Sequence, residues 1–440
     1  MSATALGGAI AVPTAVVLEG QTTAGANGAL VTLVNTPFVS SNGKLGFVGA
    51  VDNGSGGNNQ FVWWDGAIVW LNSDALPIVL TGGEGTMGTS NEGAWIYSPS
   101  DDGDDSVWSN GAKLLKEGDD APGLAGLFIS FASRPQMNDD GTPTWISGTT
   151  ATPGGSSQGR VLYSGSTVVV KSGDSIDGLI VSPSGVGFAY DFSGSGEHWV
   201  IECTQGTSTS FIVLDGAAVA VAGESAPDGS NWQGFDDCAV NDAGSWIASG
   251  DTDAAVISDG FLVLNGSFLL REGDNVNGRV LAANPRAIAI SNAGKVGAMW
   301  NTDLGETLFV ASPVADARGS VSVDTLLAVG DLVDTDGDGV VDSPVTDFNA
   351  SPVIGPGLRL ADCCVVYVEV DVSIGGTEFE AVVGVPYGQA LVGDINGDGI
   401  VDGADLGLLL AGWGTSGDTD LNNDGTTDGA DLGILLGNWS

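Results

Sequence analysis

Basic and sulfhydryl chemistry is scarce in this 440-residue chain: 12 lysines and arginines together, one histidine and four cysteines stand against 55 aspartates and glutamates. A formal charge of −43 repels a polyphosphate backbone and leaves no electrostatic term for DNA or RNA, so nucleic acid is excluded as a partner. One histidine, His198, cannot supply the paired imidazoles of a metalloenzyme, and its place in the strand-like EHWVIEC beside Trp199 favours an exposed or hydrogen-bonded role over a catalytic one. Cys203 and Cys238 fall on neighbouring repeats with spacing open to a bridge, and Cys363 and Cys364 are adjacent, either a vicinal pair or free thiols. No apolar run is long enough to cross a bilayer, and MSATALGGAIAVPTAVV has no basic region ahead of its apolar residues. The expectation is an extracellular or cell-surface protein whose leader was removed before this numbering begins.

What the chain has in quantity is glycine, 70 residues, with 42% hydrophobic content, the composition of a turn-rich β protein. From about residue 15 to residue 388 it cycles at roughly fifty residues, the period of a propeller or solenoid. A polar turn precedes an alternating strand at Ser41-Asn42-Gly43, Asn91-Glu92-Gly93, Asn138 to Gly141, Ser193 to Gly196, Asn241 to Gly244 and Asn292 to Gly294, with Asp362-Cys363 as a degenerate copy. A two-residue hairpin follows at Asp65-Gly66, Asn110-Gly111, Ser164-Gly165, Asp215-Gly216 and Asn265-Gly266. Small acidic-glycine clusters such as Glu117-Gly118-Asp119 and Glu272-Gly273-Asp274 close the units.

Each unit therefore reads as about four antiparallel strands. The last one runs through FEAVVGV and lacks its final strand, while the chain opens with an orphan, Ala15 to Gly20, that matches Lys113 to Gly118. An N-terminal strand completing the last blade removes both open sheet edges, and the fold class is all-β, a β-propeller of about seven blades over residues 1–388, with six or eight as the alternatives. An open β-solenoid is the competing architecture and needs no such strand. The tryptophans near the turns, Trp95, Trp145, Trp199 and Trp246, read as packing between blades.

Residues 389–440 speak another chemistry. Gly393 to Gly414 and Thr419 to Ser440 repeat one pattern, each a loop of oxygen donors followed by a helix-period apolar stripe. Asp394, Asn396, Asp398, the Ile400 carbonyl, Asp402 and Asp405 fall at the loop offsets that wrap one Ca²⁺, and Asp420, Asn422, Asp424, the Thr426 carbonyl, Asp428 and Asp431 match them, with Gly399 and Gly425 at the sharp turn. Leu406, Leu409, Leu410 and Trp413, then Leu432, Leu435, Leu436 and Trp439, lie on one helical face. Pro386, Tyr387 and Gly388 leave no room for an incoming helix, so each unit is half an EF-hand.

These two units resemble type I dockerin modules, which attach secreted bacterial proteins to cohesin domains; the resemblance covers about the last fifty residues. It implies a small α-helical domain that binds two Ca²⁺, a cohesin-like or other surface scaffold as partner, and the company of polysaccharide degradation. At the loop positions that help to recognise cohesin, where the family often carries hydroxyls, this chain has Gly403-Ala404 and Gly429-Ala430, so a partner would be gripped by backbone, methyl and leucine groups.

A third Ca²⁺ loop is written into an insertion near residues 331–347, where Asp334, Asp336, Asp338, the Val340 carbonyl and Asp342 repeat the first five offsets but Val345 replaces the closing ligand, leaving Asp347 to reach back. No acid pair can be singled out for glycosidase chemistry among so many carboxylates, and Arg134, Arg160, Arg271, Arg279, Arg286, Arg318 and Arg359 share no position in the repeat. The sequence thus favours a non-catalytic binding or structural propeller on a calcium-dependent tail, ahead of a glycan-acting enzyme or lectin and a self-associating filament subunit.

Overall fold

The computed structural model describes residues 12–71, 80–313, 321–349, 358–362, 365–387, 393, 395, 401–415, 419–422 and 425–439, with 80–86, 313 and 321 described by backbone alone. Seven antiparallel sheets follow one another along the chain as a seven-bladed β-propeller. The first strands of blades 2 to 6 are Leu80–Thr89, Phe128–Met137, Val186–Phe192, Trp232–Val240 and Arg279–Ile290; in blade 1 this strand is split into Val31–Val34 and Phe38–Val39. In blade 7 it comprises Ser343–Phe348 and a bridge from Leu360 to Val366.

Ring closure follows the sequence expectation and removes the solenoid. Strand Thr14–Leu18 pairs antiparallel with Thr377–Pro386, placing Thr14 opposite Gly384 and Leu18 opposite Ala381, so the first strand of the chain is the outer strand of the last blade. Blade 7 then has no open edge on that side. Val17 and Leu18 carry the closure inward, Val17 into the core between blades 7 and 1 and Leu18 into the core between blades 6 and 7. Each of the seven interfaces has its own buried apolar cluster, and Trp95, Trp145 and Trp246 lie in three of them.

The two turn signals have separate physical causes. Asp65, Asn110, Asp215 and Asn265 have φ between 42° and 50° and are followed by Gly66, Gly111, Gly216 and Gly266, also at positive φ, the backbone a tight hairpin requires. Their side chains work as well: Asn110, Asp215 and Asn265 accept the amides of Trp95, Trp199 and Trp246 at 2.9 Å, pinning the start of each second strand. In the acidic-glycine clusters Asp119, Asp174, Asp274 and Asp331 accept the backbone amide three residues earlier at 2.8–2.9 Å, which makes them turn caps.

The tail holds two short helices, Gly403–Ala411 and Gly429–Gly437, capped by Asp402 and Asp428. Among its described apolar residues Val401, Leu409 and Leu435 are fully buried, with Ile395, Leu406, Leu421 and Leu432 packed around them. The expected stripes are therefore buried in part. Leu410, Trp413, Leu436 and Trp439 remain 46–54% exposed, because a nine-residue helix ends before its tryptophan and the partner helix is too short to cover it.

Candidate functional site

The seven polar turns meet at one end of the propeller axis and bond to one another in a closed circuit. Asn42 donates to Asn91 Oδ1 at 3.2 Å, Asn91 N to the Asp139 carbonyl at 3.3 Å, and Asp139 N to the Gly194 carbonyl at 2.8 Å. Ser195 N then donates to Asp242 Oδ1, Asp242 N to Asn292 Oδ1 and Asn292 N to Asp362 Oδ1 at 2.7–2.8 Å, and Asp362 N returns to the Ser41 carbonyl at 2.9 Å. Asp139 also crosses the mouth to the Ser41 hydroxyl, over Gly194, where any Cβ would lie 2.2 Å from its Oδ2. Burial lifts the Asp362 carboxyl to about 6 despite the bonds from Asn292.

Three residues before each turn position lies a second tier: Phe38, Gly88, Gln136, Asp191, Ala239, Ala289 and Arg359. Arg359 crosses the axis from blade 7, with Nη2 2.6 Å from Asp191 Oδ1 and 2.5 Å from Gln136 Oε1 and its guanidinium 4.6 Å from the Phe38 ring centroid. Gly88, Ala239 and Ala289 leave it the space. Asp191 Oδ2 also accepts the Val240 amide at 3.1 Å, and burial raises the Asp191 carboxyl against the pull of Arg359. Between the tiers remains a cavity of about 50 Å³, room for a few waters and far short of a sugar ring. This end of the channel is therefore plugged.

Further acids are buried around the inner strands. Burial pushes Glu202, Asp237 and Glu306 up to about 7, and Glu369 to about 8. Arg160 acts on Glu202, Arg359 on Asp237, and Arg286 Nη1 donates to Glu306 Oε2 at 2.6 Å. Arg134 and Arg160 flank the Phe188 ring at 5.4 and 4.3 Å, so the arginines that share no repeat position serve separate local tasks.

His198 Nδ1 lies 2.7 Å from Asp215 Oδ2, and its ring packs over Gly244 of the next blade. The sequence Gly155-Ser156-Ser157-Gln158-Gly159 spells G-x-S-x-G, but it is a surface loop before a strand in which Ser157 donates to the Gly159 carbonyl; it is no strand-to-helix elbow. Cys203 and Cys238 are free buried thiols; the bridge their spacing allowed is absent, and burial raises both. Cys363, Cys364 and Arg318 lie outside the described residues.

At the insertion, the carboxylate oxygens of Asp334, Asp336 and Asp338 lie within 4.8 Å of one another, the one such acidic set among the described residues. Asp334 is buried and its carboxylate accepts the amides of Gly337 and Gly339 at 2.7 and 2.8 Å. Its backbone joins the closing strand, accepting from Ala15 at 2.9 Å and donating to the Pro13 carbonyl at 2.8 Å. Asp342 turns instead to the hydroxyls of Thr335 and Ser343, Val340 is exposed, and Asp347 accepts the Phe348 amide.

In the tail, Asp394, Asn396, Asp398, Ile400 and Asp424 lie outside the described residues. Gly425 turns at φ 97° and its amide donates to Asp420 Oδ2 at 2.7 Å. Asp405 and Asp431 each span loop and helix: Asp405 accepts from Ile395 and Asp402, and Asp431 from Asn422 and Asp428, at 2.7–3.0 Å, and the Asp428 amide foremost holds Asp431 below the usual carboxylate range. Asp402 and Asp428 cap the helices on Ala404 and Ala430 at 2.7 Å, leaving Gly403, Ala404, Gly429 and Ala430 exposed in the first turns. Asn422 and Thr426 sit in the second loop, and these donors are all hard oxygens of the kind Ca²⁺ takes.

No known family profile matches the chain, and no curated protein matches it. Among solved structures it is similar to one of two prolyl endopeptidases, at 12% identity and a TM-score of 0.44, over 81% of this chain and 50% of that one, so it spans half that protein's length. It is also similar to the extracellular domains 1–2 of Drosophila Semaphorin 1a, at 9% identity and a TM-score of 0.39, over 89% and 91% of the two chains. A third likeness, at 10% identity and a TM-score of 0.35 over 85% and 95%, is YCF48, solved with a bound peptide. None of the described helices is long and apolar enough to cross a membrane.

Proposed function

We propose that this protein is a non-catalytic, secreted or cell-surface propeller, held to an extracellular scaffold by a calcium-dependent C-terminal module of the dockerin kind. The observation that supports it most is the duplicated loop-to-helix joint. Asp405 and Asp431 each tie an oxygen-rich loop to the first turn of a short helix, and each helix unit leaves leucine and tryptophan exposed. Two Ca²⁺ ions would be held by Asp394, Asn396, Asp398, Ile400, Asp402 and Asp405, and by Asp420, Asn422, Asp424, Thr426, Asp428 and Asp431. A third would be held by Asp334, Asp336 and Asp338, with the Val340 carbonyl and Asp342 completing it. Such a module cannot build a core of its own size without the metal, so binding energy is folding energy.

The plug removes one candidate pocket, because the end closed by the turns leaves a cavity of only about 50 Å³. A cohesin-like scaffold would meet Gly403, Ala404, Gly429 and Ala430 together with Leu408, Leu410, Leu436 and both exposed tryptophans. Surface plasmon resonance of the full chain over immobilised cohesin modules tests it: binding in calcium, lost in EGTA and in a chain ending at residue 388, is expected. Equal binding by the truncated chain would overturn the assignment.

A further inference from the structure

The seam where the last blade meets the first is fastened differently from its neighbours. Glu369 and Glu380, on the second and third strands of blade 7, face the first strand of blade 1. Thr36 Oγ1 donates to Glu369 Oε2 at 3.0 Å, and the Val34 amide donates to Glu380 Oε2 at 3.1 Å. Glu369 and Thr36 are both only 9% exposed. The charged groups around them are all acids: Asp371 and Glu380 act on Glu369, Glu19 and Asp371 act on Glu380, and Asp347 and Glu378 lie beyond, next to Asp371. Blade 1 offers a hydroxyl and an amide, and among the described residues no lysine, arginine or histidine pairs with either glutamate. Glu202, Asp237 and Glu306 each have a guanidinium near; Glu369 has none.

We infer that this seam is a proton-operated latch: with Glu369 neutral the first and last blades close on each other, and its ionisation loosens them. Glu369 and Asp371 share one strand, Glu380 stands opposite Asp371 on the next, and no cation among the described residues pairs with them, so the three cannot all be desolvated in the charged form. Burial accordingly raises Glu369 to about 8, and raises Glu380 and Asp371 too. A raised folded-state value puts the full contribution of the group below its unfolded value and removes it as pH rises toward about 8. The seam is therefore tight in mild acid and open-prone in alkali.

Hydrogen exchange over residues 31–39, corrected for the intrinsic pH dependence and run at fixed calcium, reads the latch. Local opening is expected to rise about tenfold or more between pH 5 and pH 7 in the native protein, from the proton linkage of one such group. In Glu369→Gln, which stays neutral and keeps an acceptor for Thr36, the segment is expected to hold its pH 5 protection at pH 7. Thr36→Val, which removes the donor that favours the ion, is expected to carry the rise in opening on to higher pH. If Glu369→Gln keeps the native pH profile, the latch is refuted, whatever Thr36→Val does.

Discussion

Arg359 of the seventh blade and Asp191 of the fourth meet across the propeller axis at 2.6 Å, in a tier where three of the other positions are glycine or alanine. The pair ties opposite sides of the ring to each other, whereas every interblade core ties only neighbours. Arg359→Met removes the cation and leaves Asp191 desolvated and unpaired, so chemical denaturation should show a loss of about 3 kcal/mol or more. Adding Asp191→Asn should restore a good part of it, because the stranded charge is then gone. Equal stability of the single variant and the native chain would mean the pair is dispensable.

Gly88 belongs to the same tier for a steric reason. A Cβ there would lie 2.3 Å from the Met137 amide nitrogen and 2.5 Å from the Gln136 carbonyl carbon, both backbone atoms of the next blade. Gly88→Ala should therefore cost about 1–3 kcal/mol, measured by urea titration, since blades 2 and 3 must move apart.

Deleting residues 1–20 takes away the outer strand of blade 7 along with Val17 and Leu18 of the two flanking cores. The melting temperature of the propeller should fall steeply and the truncated chain should aggregate through its bare edge, seen by light scattering. Unchanged melting would mean the strand is an ornament on a ring already closed.

Stability should also depend on pH in one direction. Burial holds Glu202, Asp237 and Glu306 at about 7, above the ordinary carboxylate range, so their neutral forms belong to the folded state. Their contribution is full below about pH 4 and is lost as pH rises through about 7. Thermal melts at constant ionic strength should show a higher midpoint at pH 5 than at pH 8, and Glu202→Gln should flatten the slope.

Much of the ring was legible because turn chemistry and alternation are local properties. Asn-Gly and Asp-Gly pairs mark hairpins wherever they occur, and the orphan Ala15 to Gly20 shows its partner by likeness to Lys113 to Gly118. The Arg359–Asp191 plug is not part of the sequence reading, although its signal exists: counting three residues back from each polar turn lines up one arginine and one aspartate in a tier where Gly88, Ala239 and Ala289 are small. Opposite charges 168 positions apart declare themselves only once the blades are in register. The possible Cys203–Cys238 bridge failed for the same reason, since neighbouring repeats do not fix which way a thiol points. The exposure of Trp413 and Trp439 is not legible either, because helical period alone places them on one apolar face and cannot tell a face that packs within the chain from one left outside.

At the insertion, Asp336→Asn with Asp338→Asn should abolish any calcium-induced rise in the melting temperature of the propeller, because Asp334 joins this loop to the closing strand at Pro13 and Ala15. A calcium shift that survives both substitutions would place the ion elsewhere.

The calcium dependence proposed for the tail is tested most directly by hydrogen exchange over residues 401–439 of the full chain, in calcium and after chelation with EGTA. The account predicts slow exchange of both helices in calcium and fast exchange without it, while the inner strands of the propeller stay protected in both. Helices equally protected in EGTA would show a module that folds without the ion, and the proposed attachment would lose its switch.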